Sequence, residues 1–349
     1  MRIEREQVNG KWLLYKLTND NGMEVHILNF GGIITKIVVP DKEGKLENVV
    51  LGYKHYQDYE SDASFFGAII GRVAGRIQNS SFLLGGTKYA LLPNEGENHL
   101  HGGTYGFHRI IWDSEPFQSD DTVGIKLTYF SSDGEGGYPG NIKAAVSYTL
   151  NQKNQLSIDY SATTDQTTVL TMTNHSYFNL SGNLRDTIHN HYVTIDSGCF
   201  VELDQHLMPT GRRLNVDRST FDFRYGRRLG DGIESDSLQN LIAKNGYDHY
   251  FLFDQNKYEN VIVKEESSGR VLTITTDQPG MVMYTSNNLT EGLQLTEGPS
   301  KKHLGVCFET QASPASLHHE GFPSIILEKD EVYKKQTVFS FGVSSTGCR

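Results

Sequence analysis

Apolar and polar residues alternate along much of this 349-residue chain. Residues 123–129, 142–148 and 156–160 each carry apolar side chains at every second position, and short polar or glycine-rich breaks separate these runs. Successive side chains of a β-strand point to opposite faces, so each run predicts a strand with one buried face. The three runs together predict an antiparallel meander.

The same pattern predicts many more strands and few helices. Two short segments, His55–Glu60 and Ser237–Lys244, predict one or two helical turns each, and no long stripe of period 3.6 occurs. This argues against coiled coils and doubly wound α/β folds. The further strands are expected at about 12–17, 23–39, 82–91, 167–173, 192–203, 250–263, 271–277, 281–286, 304–310 and 332–342.

These elements predict an all-β fold, a large antiparallel β-sandwich with few short helices. The 35 glycines, 18 tyrosines and 17 phenylalanines suit numerous strands and tight turns. No linker, repeat or abrupt change of charge divides the chain, so we expect residues 1–349 to form one domain. The longest stretch without strand signal, 204–247, is expected to be a functional loop or a surface crossing.

Charge and cysteine content narrow the possible partners and location. A formal net charge of −10 argues against nucleic acid and anionic membranes as partners, because both are bound by basic patches. No run approaches the roughly 18 apolar residues that span a bilayer. The charged first residues lack the apolar segment of a signal peptide. Three widely spaced cysteines, Cys199, Cys307 and Cys348, predict no disulfide framework and suit a reducing cytoplasm.

Motifs for cofactors are missing from the sequence. The segment Gly71–Arg76 lacks the ending of a phosphate-binding loop and the strand–helix context of a dinucleotide site, and no GxSxG elbow occurs. The pairs His99/His101 and His189/His191 have chelating spacing on a strand, but each needs further ligands from elsewhere. We therefore predict no metal and no cofactor.

Five polar residues stand in distinctive contexts: Arg76, His101, His175, Asp248 and Glu309. On a strand, Val306 and Phe308 share one face, whereas Cys307 and Glu309 share the other. Glu309 is therefore expected at a sheet edge or in a lined cavity, since burying an unpaired charge is costly. Each of the five also has a structural interpretation, such as a hydrogen-bonded histidine or a turn aspartate. Taken singly, they indicate only a β-rich protein with a possible carboxylate–histidine site.

Several segments together resemble the aldose 1-epimerase (galactose mutarotase) family, in family order and over nearly the whole chain. The segment Thr-Asn-His-Ser-Tyr-Phe-Asn-Leu at 173–180 is the most specific. The others are Asn29–Gly32, Phe66–Arg76, Asn98–Gly103, Met208–Gly211, Tyr247–His249, Gln278–Gly280, Tyr284–Asn287 and Cys307–Gln311.

The resemblance implies a β-sandwich with an open cleft, in which α and β anomers of free aldoses such as galactose or glucose interconvert. It implies that Glu309 is the general base and His175 the general acid, with Glu309 initially ionised and His175 initially protonated. A nearby carboxylate such as Asp248 could favour the charged imidazole. The residues implied to bind sugar hydroxyls and the ring oxygen are Arg76, His101, Asp248 and Gln278.

One departure concerns Gly75, which stands where many family members have asparagine, so one sugar contact is expected to be absent or replaced by water.

Three alternative functions stay open. A non-catalytic sugar-binding β-sandwich has no need for both His175 and Glu309. A hexose-6-phosphate 1-epimerase would use an arginine cluster, for which Arg212–Arg213 and Arg224–Arg228 are candidates. A glycosidase would use two carboxylates, such as Glu309 and Asp248. The sequence leaves open a monomer or a homodimer.

Overall fold

The computed structural model describes residues 1–254 and 258–344. Within these residues the largest sheet, here called the large sheet, contains nine antiparallel strands. The predicted meander forms three consecutive strands of this sheet and is confirmed. In spatial order the strands are Asp113–Gln118, Thr122–Ser131, Ile142–Asn151, Gln155–Thr164, Val332–Val343, Arg270–Thr276, Val261–Lys264, Tyr192–Ile195 and Arg227–Arg228.

A second antiparallel sheet, here called the site sheet, has six strands in the described part of the chain. Their spatial order is Tyr177–Phe178, Val306–Thr310, Gly280–Tyr284, Asp248–Leu252, Cys199–Leu203 and Pro209–Asn215. An N-terminal sheet comprises Arg2–Val8, Trp12–Thr18, Glu24–Leu28, Ile34–Pro40 and Leu46–Asn48.

Two-stranded sheets and short helices make up the rest of the regular secondary structure in the described residues. The two-stranded pairs are Ile69–Ile70 with Thr173–Asn174, Arg76–Ile77 with His99–Leu100, Ser81–Leu84 with Thr87–Ala90, Thr168–Val169 with Ile326–Leu327, and Gln294–Leu295 with Gly298–Pro299. The α-helices are Gly230–Ile233 and Leu238–Ile242. The 3₁₀ helices are Tyr56–Ser61, Gln78–Ser80, Gly103–Tyr105, Phe107–Arg109, Glu135–Gly137, Ile188–Asn190 and Pro314–Leu317. None of these helices is long and apolar enough to span a membrane.

The large sheet and the site sheet share one hydrophobic core. In strand Ile142–Asn151 every second side chain is buried, as the alternation predicts. Phe178 of the site sheet packs on Phe339 and Phe341 of the large sheet, with ring centroids 5.3 and 6.4 Å apart. Burying each such side chain contributes about 1.5–3 kcal/mol. The predicted all-β sandwich with few short helices is therefore confirmed.

Several element boundaries differ from the prediction. The expected strand 23–39 is broken at Gly31 and Gly32, which have φ of 62° and 55° and turn the chain. The expected strand 250–263 corresponds to two strands, and its residues 255–257 lie outside the described residues. The stretch 204–247 is not wholly irregular, because it contains an edge strand of the site sheet, an edge strand of the large sheet and two short helices.

Candidate active site

A polar cavity lies against the site sheet and holds about 1040 Å³ with its mouth included. Its lining residues come from all six strands of the site sheet and the neighbouring loops. They are Ala63, Ser64, Phe65, Gly75, Arg76, Glu95, Leu100, His101, His175, Tyr177, Val201, Leu203, Leu207, Pro209, Asp248, Tyr250, Val282, Tyr284, Asn288, Leu289, Glu309, Gln311, Ser313 and Pro314.

Glu309 enters this cavity from strand Val306–Thr310, which is paired on both sides. The alternation along the strand holds, since Val306 and Phe308 join the main core while Glu309 faces the cavity. The carboxyl group is buried, and its Oε2 has no hydrogen-bond partner among the described residues. Burial, together with the negative charge of Asp248, raises the pKa of Glu309 to about 8, although Arg76 opposes the shift.

His175 faces Glu309 from the turn between two short strands. Its backbone N–H donates to Ala68 O at 2.9 Å, and its carbonyl accepts from Gly67 N–H at 3.0 Å, so the backbone position is fixed on both sides. The ring Nε2 lies 3.5 Å from Glu309 Oε1, and Nδ1 lies 3.5 Å from Cys307 Sγ. Burial lowers the pKa of His175 to about 4.

His101 presents a neutral imidazole to the same cavity. Its Nδ1 accepts a hydrogen bond from Gly75 N–H at 3.1 Å, so the ring proton resides on Nε2. Its backbone N–H donates in turn to Gly75 O at 3.1 Å. Burial, followed by the neighbouring His175, lowers the pKa of His101 well below its usual value. A neutral ring with a fixed N–H can donate to a hydroxyl or ring oxygen without carrying charge.

Arg76 is held by two carboxylates at the cavity wall. Its Nε and Nη2 donate to the two oxygens of Glu95 at 2.6 and 2.9 Å, and its Nη1 lies 3.5 Å from Asp248 Oδ2. Burial alone would lower the pKa of Arg76, but Asp248 and Glu95 raise it. Burial raises the pKa of Asp248. The arrangement offers both donors and acceptors to a polyhydroxylated ligand.

The expected initial charges of the pair require correction. The ion-pair contact of Asp248 is with Arg76, and the buried His175 has a lowered pKa rather than one raised by a carboxylate. Burial therefore favours protonated Glu309 and neutral His175. Between pH about 4 and about 8 the pair still holds one proton, and the charged and neutral forms differ only in where that proton resides.

Gln278 is the one predicted sugar-binding residue that the structure does not place in the cavity. It is buried, and its Nε2 lies 3.3 Å from both Met172 O and Tyr333 Oη. It precedes strand Gly280–Tyr284, whose cavity-facing side chains are Val282 and Tyr284. The other five predicted residues, Arg76, His101, His175, Asp248 and Glu309, line one cavity.

Sequence reasoning missed Glu95 and Gln311 as site residues. Glu95 lies 19 residues from Arg76, and no spacing rule indicates that they pair. Gln311 ends the segment Cys307–Gln311, and its position two residues after Glu309 was a usable signal, because residues two apart on an extended chain share a face.

Gly75 lines the cavity and offers no side chain to a ligand, while the expected loss of one sugar contact stays a prediction. Its φ is +89°, and an added Cβ would lie 3.0 and 3.1 Å from Pro314 Cγ and Cδ. A side chain at this position would therefore require both a strained backbone and a shift of Pro314.

The predicted histidine pairs do not form chelating sites in the described residues. His99 Nδ1 lies 2.7 Å from Leu92 O, and His191 Nε2 accepts from Leu180 N–H at 2.8 Å. A different group, His101, His175 and Glu309, has ligand atoms within 4.8 Å of one another. The hydrogen bond from Gly75 N–H fixes the proton on His101 Nε2, so this nitrogen is a donor rather than a metal ligand.

The arginine-rich stretch does not supply phosphate ligands to the cavity. Arg212 contacts Glu202, Arg224 contacts Asp217 and Asp222, and Arg227 contacts Asp231. Within the described residues, Arg76 is the only lysine or arginine lining the cavity, and it already pairs with two carboxylates. These contacts disfavour a hexose-6-phosphate as the ligand.

Together, the sandwich and the cavity define a class: a β-sandwich sugar-binding enzyme with a buried carboxylate–imidazole pair. Comparison with known proteins agrees. The sequence model of the family described as Aldose 1-epimerase matches residues 13–340. The chain belongs to the aldose 1-epimerase family.

Similar proteins come from animals and bacteria. Galactose mutarotase of Bos taurus is 37% identical over 95% of this chain and 94% of its own length. Aldose 1-epimerase of Escherichia coli is 32% identical over 94% of each chain. The crystal structure of galactose 1-epimerase from Lactobacillus acidophilus aligns with a TM-score of 0.87, with 28% identity and 99% of each chain covered.

Proposed function

We propose that this chain is an aldose 1-epimerase that interconverts the α and β anomers of free aldoses such as galactose and glucose. The observation that carries the proposal is the buried pair of Glu309 and His175, with 3.5 Å between Oε1 and Nε2, in a cavity rich in polar groups. The relatives named galactose mutarotase and aldose 1-epimerase support the same reaction.

The reaction needs one acid and one base. Glu309 takes the proton of the anomeric hydroxyl as the bond between C1 and the ring oxygen breaks, and His175 gives its proton to that ring oxygen. The open aldehyde rotates about the C1–C2 bond, and both proton transfers reverse on closure. The protons return to their donors, so no net proton is consumed.

Substrate binding sets the productive charge state. The unpaired Oε2 of Glu309 accepts the anomeric hydroxyl, and a hydrogen bond to a carboxylate favours its ionised form. The shared proton then resides on His175, which becomes the acid. His101 Nε2–H, Arg76 and Asp248 bind the ring oxygen or the remaining hydroxyls and hold the sugar in register.

Polarimetry with freshly dissolved α-D-galactose tests the proposal. The chain is expected to accelerate the approach to the anomeric equilibrium, and Glu309→Gln and His175→Asn are expected to lower kcat by about 10²–10⁴-fold. Near wild-type turnover by Glu309→Gln would remove Glu309 as the base. No acceleration by the wild-type chain would refute the function itself.

We also propose that residues 1–349 form one cytoplasmic domain, acting as a monomer or a homodimer without cofactor. The family match over residues 13–340 supports a single unit. Cys199 and Cys307, the cysteines in the described residues, are free thiols, as suits a reducing compartment, whereas Cys348 lies outside those residues. Sedimentation analysis tests the oligomeric state.

A further inference from the structure

Gln311 carries a buried acceptor that is unpaired within the described part of the chain. The residue directly follows strand Val306–Thr310, has no solvent exposure, and lines the cavity. Its side-chain Oε1 has no hydrogen-bond partner among the described residues. Buried acceptors are normally paired, so an unpaired one on a residue that lines a ligand cavity points to a partner that the described residues do not supply.

Hydrogen bonds of the other polar groups of Gln311 fix the orientation of its side-chain amide, and therefore of Oε1. Nε2 donates to Ala74 O at 3.1 Å and also contacts Ala312 O at 3.4 Å. The backbone N–H donates to Gly280 O at 3.0 Å, and the backbone carbonyl accepts from Tyr250 Oη at 2.9 Å. Exchanging the amide oxygen and nitrogen would place Oε1 against two carbonyl oxygens, so this orientation is the one the network selects.

We infer that Gln311 is a specificity-determining residue whose Oε1 accepts a hydrogen bond from one ring or exocyclic hydroxyl of the aldose other than the anomeric hydroxyl. The inference rests on the proposed function, in which the anomeric hydroxyl belongs to Glu309. Arg76 and His101 supply donors to the sugar, whereas Gln311 adds a neutral acceptor. A neutral acceptor on a rigid amide selects a ligand group that carries a proton, as a hydroxyl does.

A site built to bond a hydroxyl rejects an analogue that lacks it, because the protein acceptor is left unpaired. The test is a cycle of Gln311→Met against the four monodeoxy forms of galactose, with hydroxyls removed at C2, C3, C4 or C6. Exchange between the two anomeric protons in ¹H NMR gives kcat/KM without a pure anomer. Gln155→Met, a half-buried glutamine of the large sheet whose amide is bonded to Asn151 and Ser340, is the matched control.

Gln311→Met is expected to lower kcat/KM for galactose about 10- to 100-fold. For one deoxy sugar, the kcat/KM of the wild type is expected to fall by a similar factor relative to galactose. On that same sugar, the kcat/KM of Gln311→Met is expected to lie within about 2-fold of the wild-type value. For the other three sugars the penalty of the variant should remain, and Gln155→Met should match the wild type throughout. These results would also identify the bonded hydroxyl.

An equal penalty on galactose and all four deoxy sugars would overturn the inference, since it would show a purely structural role for the amide. Galactose turnover unchanged by Gln311→Met would overturn it as well. If the wild type turns over no sugar, the proposed function fails instead. The same cycle is then measured as Kd by calorimetry, where loss of the variant's penalty on one deoxy sugar still supports the inference and a uniform penalty still overturns it.

Discussion

Replacing Glu309 by glutamine should stabilise the protein at alkaline pH, although it removes the proposed general base. The carboxyl group is 2% exposed, and its pKa is raised from the usual 4.5 to about 8, chiefly by burial. Between these two values the folded protein keeps a proton that the unfolded chain has lost. The free energy of unfolding therefore falls as pH rises from about 4.5 to about 8, and the loss is complete above that range.

The size of the loss in unfolding free energy follows from the shift in the pKa of Glu309. Each pH unit in this window costs about 1.4 kcal/mol, so the full loss is on the order of 5 kcal/mol, of which about 3 kcal/mol falls between pH 6 and pH 9. Glutamine has nearly the same shape and does not ionise. The difference in unfolding free energy between Glu309→Gln and wild type should therefore grow in favour of the variant by about 3 kcal/mol over this interval.

Equilibrium urea unfolding, followed by the fluorescence of the buried Trp12 and Trp112, measures this difference at each pH. Titration of His175 is common to both proteins and cancels from the comparison to first order. Glu115→Gln, at an exposed position of the large sheet, serves as the control and should show no such growth. A difference between Glu309→Gln and wild type that stays constant from pH 6 to pH 9 would refute the burial argument.

Three further predictions concern the site and its support. The kcat/KM for galactose should follow a bell-shaped pH profile with limbs near 4 and 8, because only the singly protonated pair of Glu309 and His175 is active; a profile flat to pH 10 would contradict this. Arg76→Lys loses the bidentate contact and should raise KM about 10-fold in initial-rate assays, while an unchanged KM would exclude Arg76 from sugar binding. Gly102→Ala should lower the urea-unfolding free energy by about 3 kcal/mol or more, because φ is +80° and the new Cβ would lie 1.9 Å from Gly71 O; wild-type stability would show that the loop relaxes.

Long runs of alternating apolar and polar residues gave the most accurate strand predictions. Strand Ile142–Asn151 could be predicted because its period of two extends over ten residues. Strands of two residues, such as Ile69–Ile70, contain no measurable period. Strand Pro209–Asn215 was missed because it lies at the edge of the site sheet, where its arginines face solvent and no alternation of burial is imposed.

The candidate active site was likewise only partly predictable from the sequence. Alternation limited Glu309 to a sheet edge or a lined cavity, and the structure places it in the cavity. Sequence context singled out four more lining residues, and the resemblance supplied their expected roles. Gln278 does not line the cavity, because a shared motif reports residue type, whereas the direction of a side chain depends on its position relative to the strand; its role in sugar binding stays a prediction. The pairing of Arg76 with Glu95 and the lowered pKa of His175 depend on tertiary packing, which no local pattern encodes.

A crystal of Glu309→Gln soaked with galactose tests the central claim most directly. The account predicts the anomeric oxygen within hydrogen-bond distance, about 2.6–3.2 Å, of the residue 309 side chain, and the ring oxygen within the same distance of His175 Nε2. A sugar bound in the cavity with its anomeric carbon turned away from both residues would contradict the acid–base assignment.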